Sequence, residues 1–264
     1  MSSLLISSIL TLSMMGPTVH HQQCNFQLQH DLTMTPQQLT LSSGSTELWR
    51  IDQAGQLWVE QQLQSTSPAQ REQLQQYREG VYQQGKTTVH IVVEAMDLAY
   101  SAVDQVLTEL TGRPLSQHKS MQAALQKVAE VQSRIIVEQG DTLLIRGSQF
   151  DALGHAFGSE FEAAIEEVVE SSMSSIFWQL GKAFFSGEGS FEQRMEAFGE
   201  RMEKFGSELE ASMDLKAAAL EQRGDTLCEQ IQQLTVLEQD LISELPKLAP
   251  YALFQQTTQA MQRR

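Results

Sequence analysis

Six histidines are scattered along the chain: His20, His21, His30, His90, His118 and His155. Only His155 has carboxylates on both sides at helical spacing, with Asp151 four residues before it and Glu162 seven after. On one helix face these three could hold a metal ion or serve as a general base. Such spacing arises by chance in an acidic helix, and a surface histidine paired with Asp151 is the simpler reading. The chain has no H-E-x-x-H, G-x-S-x-G, G-x-x-x-x-G-K-[ST] or G-x-G-x-x-G, the spacings that build zinc, acyl-transfer and phosphate sites. Acidic pairs such as Glu166-Glu167 read as solvated surface. Trp49 and Trp58 fall on neighbouring predicted strands, where they either form a binding platform or pack under helices. No catalytic residue, metal ligand or cofactor is expected, and the expectation is a protein that binds rather than an enzyme. A hydrolase using Asp151 and His155 is the rival reading.

Cys24 and Cys228 are the only cysteines. In an exported chain they would form one disulfide; in a reducing compartment they would be two buried thiols. Closing a loop of about 200 residues gives a chain-entropy stabilisation of about 5 kcal/mol at most. The compartment is indicated by Ser2 to Met15, SSLLISSILTLSMM, an apolar run broken by Gly16-Pro17, with no charge before Asp31. It has the length of a secretory leader core and is too short to span a bilayer. No basic residue precedes it and no A-x-A site follows, so a buried N-terminal helix is the competing assignment. Cleavage is expected between Thr18 and Gln23. His21-Gln22-Gln23 before Cys24 does not fit a lipid-anchor site.

The elements that would position these residues follow from the hydrophobic periods. Leu39 and Leu41 alternate with polar residues, Leu48 to Ile51 and Leu57 to Val59 form two further short runs, and turns fall at Ser43-Gly44 and Asp52-Gln53-Ala54-Gly55. This predicts a β-meander over 24–66, with helices covering one face. From Ser67-Pro68, an N-cap and N1 pair, the period becomes helical. Leu74, Tyr77 and Val81 form one stripe, and Val89, Val92, Met96, Tyr100, Val103, Leu107 and Leu110 a second. Gly112-Arg113-Pro114 ends that helix, and Met121, Leu125, Val128, Gln132 and Ile135 mark the next. Gly140-Asp141 is a break, and Thr142 to Arg146 reads as a short isolated strand. Ser148 caps a further helix carrying Phe150, Leu153, Phe157, Phe161 and Ile165. Gly187 and Gly189 form a hinge.

The clearest pattern comes next. Phe191, Met195, Phe198, Met202, Phe205, Leu209 and Met213 recur in steps of three and four, and RMEAFGE is followed by RMEKFGS. A seven-residue repeat with an apolar seam predicts coiled-coil packing. Met195, Phe198, Met202, Phe205 and Leu209 are therefore the candidate interaction residues, within one subunit or between two. Gly199 and Gly206 interrupt the seam at about 1 kcal/mol each against Ala, which predicts close approach of a partner backbone. A last helix runs to Leu245, ended by Pro246 and Pro250. The whole is a mostly helical α+β chain: a leader at 1–23, the meander, a helical region of long antiparallel helices over 67–250, and a tail over 251–264.

Composition restricts the partners. The 264 residues carry 18 Lys+Arg and 33 Asp+Glu, a net charge of -15. Binding nucleic acid needs a basic face to displace counterions, so no nucleic-acid partner is expected. Adhesion to anionic lipid is disfavoured in the same way. No run of 18 apolar residues exists, so no integral membrane segment is expected in the mature chain. The apolar stretch Ile176 to Phe185 allows a second rival, a peripheral protein at a membrane surface. The acidic excess is concentrated in 141–245 and lies off the apolar stripes, so it reads as a solvated face, or alternatively a dock for a basic partner. The expected partner is an unidentified protein or a second copy of the chain.

Several stretches resemble the YggN family: Cys24, T-P-Q-Q-L-T-L at 35–41, L-W-R-I at 48–51, D-Q-A-G-Q-L-W-V at 52–59, Q-R-E-Q-L-Q-Q-Y at 70–77, L-C-E-Q-I-Q-Q-L at 227–234 and E-L-P-K-L at 244–248. The resemblance spans nearly the whole chain and is weakest in the middle. It implies a periplasmic protein of Gram-negative bacteria, supports export and the pairing of the two cysteines, and implies no reaction.

Overall fold

The computed structural model describes residues 26–149, 162–164, 166, 167, 170 and 190–256. Strands β1 (Phe26–Gln27), β2 (Asp31–Met34), β3 (Gln38–Ser43), β4 (Thr46–Asp52), β5 (Leu57–Val59) and β6 (Gln62–Leu63) come first. Helix α1 (Pro68–Thr111) and helix α2 (Lys119–Ile135) follow, then β7 (Ile136–Gln139), β8 (Thr142–Arg146), helix α3 (Phe191–Glu244) and β9 (Gln255–Gln256). The fold is α+β and mostly helical, with a long helix pair and an antiparallel sheet, as the periodicities predict.

The sheet has seven strands in the order β6-β5-β4-β3-β2-β8-β7. Alternation sends Leu32, Met34, Leu39, Leu41, Trp49, Ile51, Leu57, Val59, Leu143 and Ile145 to one buried face. The turn before β5 is set by Asp52, whose Oδ1 accepts the N–H groups of Ala54 and Gln56 at 2.9 and 2.8 Å. Gly55 completes it at φ 70°. A Cβ there would stand 2.2 Å from the Arg71 carbonyl oxygen, so only glycine lets this turn lie against α1.

Thr142 to Arg146 is not an isolated strand. It pairs with β7 on one side and with β2 on the other. Gly140-Asp141, read as a simple break, is a two-residue hairpin loop with Gly140 at φ 58°. The sequence signal was there, but β2 lies more than a hundred residues away and no local pattern identifies that partner.

Helix α1 begins with a capping box: Ser67 Oγ accepts from Gln70 N–H while Gln70 Oε1 accepts from Ser67 N–H. It runs unbroken through 44 residues to a left-handed Gly112. The β-branched string at 89–93 is helical, because its apolar side chains recur at helical rather than alternating spacing. Helix α3 opens with the same box at Ser190 and Gln193 and continues for 54 residues. The heptad stretch and the last helix are thus one element.

Helices α1 and α3 run antiparallel side by side. Glu109 pairs with Arg201 at 3.1 Å, Glu94 with Arg223, a Gly80 Cβ would touch Leu234, and Tyr77 bonds Glu238. The main core lies where Leu74, Tyr77, Val81 and Val89 of α1, with Leu234 and Leu241 of α3, cover the sheet. A smaller core joins Leu107 of α1 to Met121 and Ala124 of α2 and to Ala164. Among the described residues, no helix is long and apolar enough to cross a membrane.

Candidate functional site

Three groups set the geometry around one end of the helix pair. Trp49 is buried on β4, and its ring N–H donates to the Tyr251 carbonyl at 2.9 Å. Tyr77 is buried on α1, and its hydroxyl donates to Glu238 Oε1 of α3 at 2.6 Å. The Glu238 carboxylate also accepts the backbone N–H groups of Leu253 and Phe254, at 2.7 and 3.1 Å. The C-terminal segment is therefore held to the core at two points. Phe254 meets the edge of the Tyr77 ring, with centroids 6.4 Å apart.

Burial raises the Glu238 pKa, against the three hydrogen bonds that hold the charge. The Tyr77 hydroxyl is raised well above its usual value, first by burial and then by the neighbouring carboxylate. Three donors meeting on one buried carboxylate make a structural latch, which fixes where Leu253 and Phe254 stand.

Those two residues form one wall of an apolar cavity of about 390 Å³. The sheet supplies Leu32, Met34 and Ile145, and Leu28 enters from the loop after β1. Helix α1 supplies Val81, Gln84, Gly85 and Thr88, and α3 supplies Ile231. Gly85 lets α1 sit close: a Cβ there would stand 2.7 Å from Met34 Sδ. Gln84 and Thr88 are the polar side chains among the described lining residues. Thr88 Oγ1 donates to the Gln84 carbonyl at 2.8 Å, whereas Gln84 Oε1 is buried without a hydrogen-bond partner. A volume of this size lies within the range of small-molecule sites, which are mostly apolar with a few placed polar groups.

The residues singled out in the sequence fall elsewhere. Asp151 and His155 lie outside the described residues, and Glu162 is exposed. Among the described residues, no three His, Cys, Asp or Glu side chains are grouped to hold a metal ion. His118 is a buried packing residue, with Nε2 3.0 Å from Thr111 Oγ1. The two tryptophans do not form a platform: Trp49 packs inward beside Tyr77, and Trp58 lies half-buried on the opposite face under the Arg50 guanidinium, 4.1 Å away. Of the heptad residues, Met202, Phe205 and Leu209 are half-buried, and the side chains of Met195 and Phe198 lie outside the described part.

The close approach expected at Gly199 and Gly206 is made by no described residue. Among the described residues nothing lies within 4 Å of a Cβ at either position. Cys228 is buried on α3, and Cys24 lies outside the described residues.

Sequence reading missed the cavity and the latch. Gly85 was the available signal, a glycine inside a helical stripe. In the sequence Glu238 is one more acid on an acidic helix, and Leu253 and Phe254 fall in a plain tail.

A sheet, a long antiparallel helix pair across it and an apolar cavity between them define the class: a mostly helical α+β protein. Residues 24–254 match DUF2884, a family described as proteins of unknown function, and the chain belongs to that family. No curated protein and no solved structure matches it.

Proposed function

We propose that the chain is an exported, non-catalytic binding protein of the bacterial periplasm, in line with its likeness to the YggN family. The observation that carries the binding reading is the apolar cavity, whose described walls hold no titratable side chain. General acid–base and nucleophilic chemistry need such groups within hydrogen-bond reach of the bound molecule.

Export rests on the apolar leader core at residues 2–15. Pairing of Cys24 with Cys228 is part of the same reading. Cys228 is buried on α3, and Cys24 is the chain's one other cysteine. Leu28, four residues after Cys24, and Ile231, one turn after Cys228, line the same cavity. That shared lining supports the pairing.

Osmotic-shock fractionation, N-terminal sequencing and thiol titration of the denatured, unreduced protein test the reading. Protein in the periplasmic fraction, starting between Thr18 and Cys24 and lacking free thiols, is the expected result. An intact Met1 on cytoplasmic protein with two titratable thiols would refute it.

A further inference from the structure

We infer that the cavity between the sheet and the helix pair binds a small uncharged amphiphile: an apolar body carrying one O–H or N–H donor. This rests on the binding reading above and specifies its ligand.

Three observations select that chemistry. The walls contributed by Met34, Ile145, Ile231 and Phe254 are apolar, which favours a hydrocarbon or aromatic body over water. A water molecule needs two to four polar partners to be held in a buried site, and these walls offer few. Gln84 Oε1 is a buried acceptor with nothing donating to it, and an unmet buried acceptor is costly. A ligand donor would satisfy it.

The third observation concerns charge. No Lys, Arg or His is among the described lining residues, so a carboxylate or phosphate head would be desolvated without a counter-ion. Acidic side chains are equally absent from the described lining, so a cationic head has no partner either. An alcohol or a weakly basic diarylamine head, neutral at pH 7, fits; a fatty-acid anion does not. Thr88 of α1 and Ile231 of α3 both line the cavity and are both half-buried. These two positions allow larger side chains to fill the space.

The probe is N-phenyl-1-naphthylamine, an apolar fluorophore with one N–H donor, titrated into the full chain. Saturable binding of one probe per chain is expected, with displacement by decanol and not by decanoate at neutral pH. Thr88→Trp and Ile231→Trp should each weaken binding by more than tenfold while the circular dichroism melt stays cooperative. If one variant fails to fold, the other decides.

Gln84→Leu should weaken the probe by about three- to tenfold, the worth of one neutral hydrogen bond. It should not weaken the N-methylated probe, which has no donor. Absence of saturable binding to the wild-type chain, or equal binding by the wild type and both folded tryptophan variants, would overturn the inference. Tighter displacement by decanoate than by decanol would overturn the assigned ligand class. Fractionation and thiol titration of the same preparation read the export proposal separately, so failure here is distinguishable from failure there.

Discussion

Glu238 brings a carboxylate into the core and is held there by three donors, from Tyr77, Leu253 and Phe254. Removing the Tyr77 hydroxyl with Tyr77→Phe leaves the ring packing intact and the charge short of one partner. The expected cost is about 1–3 kcal/mol in urea unfolding. Titration gives a second test. The folded-state pKa of Glu238 is raised by burial, so the native state holds its proton to higher pH than the unfolded chain does. That contribution to stability is full below the ordinary carboxylate range and is lost as pH rises through the raised value. Stability of the wild type relative to Glu238→Gln should therefore fall as pH rises from the ordinary carboxylate range through the raised value. A flat or rising difference would contradict the assignment. Gly199 and Gly206 make the opposite kind of prediction. Each sits inside α3 with open space where a Cβ would go, among the described residues. Replacing either with Ala should raise stability by about 0.5–1 kcal/mol in a monomer. If the glycines instead seat a second copy of the chain, the substitution should lower the mass seen in light scattering.

Between the elements, α3 changes role along its length. Its last turns are buried against the sheet at Leu241, whereas its heptad stretch lies along α1 with Met202 and Phe205 half-buried. Leu241→Ala should cost about 2–5 kcal/mol and Phe205→Ala less, about 1–2 kcal/mol. Glu203→Ala, exposed on the same helix, should change stability by less than about 0.5 kcal/mol. Chemical denaturation of the three variants gives the ranking. The existence of these elements was legible in local pattern: the alternation at Leu39 and Leu41, the capping residue Ser67, the seven-residue repeat from Arg194. Their pairings were not, because pairing is set by contacts far apart in the chain. The placement of β8 against β2 and of Leu253 and Phe254 against Glu238 depends on such contacts. The candidate site was the least legible part. Its chemistry lies in one uncapped amide oxygen and a set of ordinary apolar residues, which no spacing singles out.

For the molecule as a whole, the terminal segments meet. Strand β1 pairs with β9, so Phe26 lies opposite Gln256 and the N-terminal and C-terminal chains close one end of the cavity-bearing domain. A Cys24–Cys228 bond would fasten this same end, and reduction should lower the melting temperature and loosen the probe as well. The net charge of -15 keeps the surface hydrated, in contrast to the apolar walls of the cavity. The central claim, an exported protein that carries an uncharged amphiphile, is tested most directly by native mass spectrometry of the chain taken from the periplasmic fraction. The expected spectrum shows a processed chain with one disulfide and one bound neutral molecule that is stripped by Thr88→Trp. An unprocessed chain, or a processed chain of bare mass that takes up no decanol when it is added, would contradict the claim.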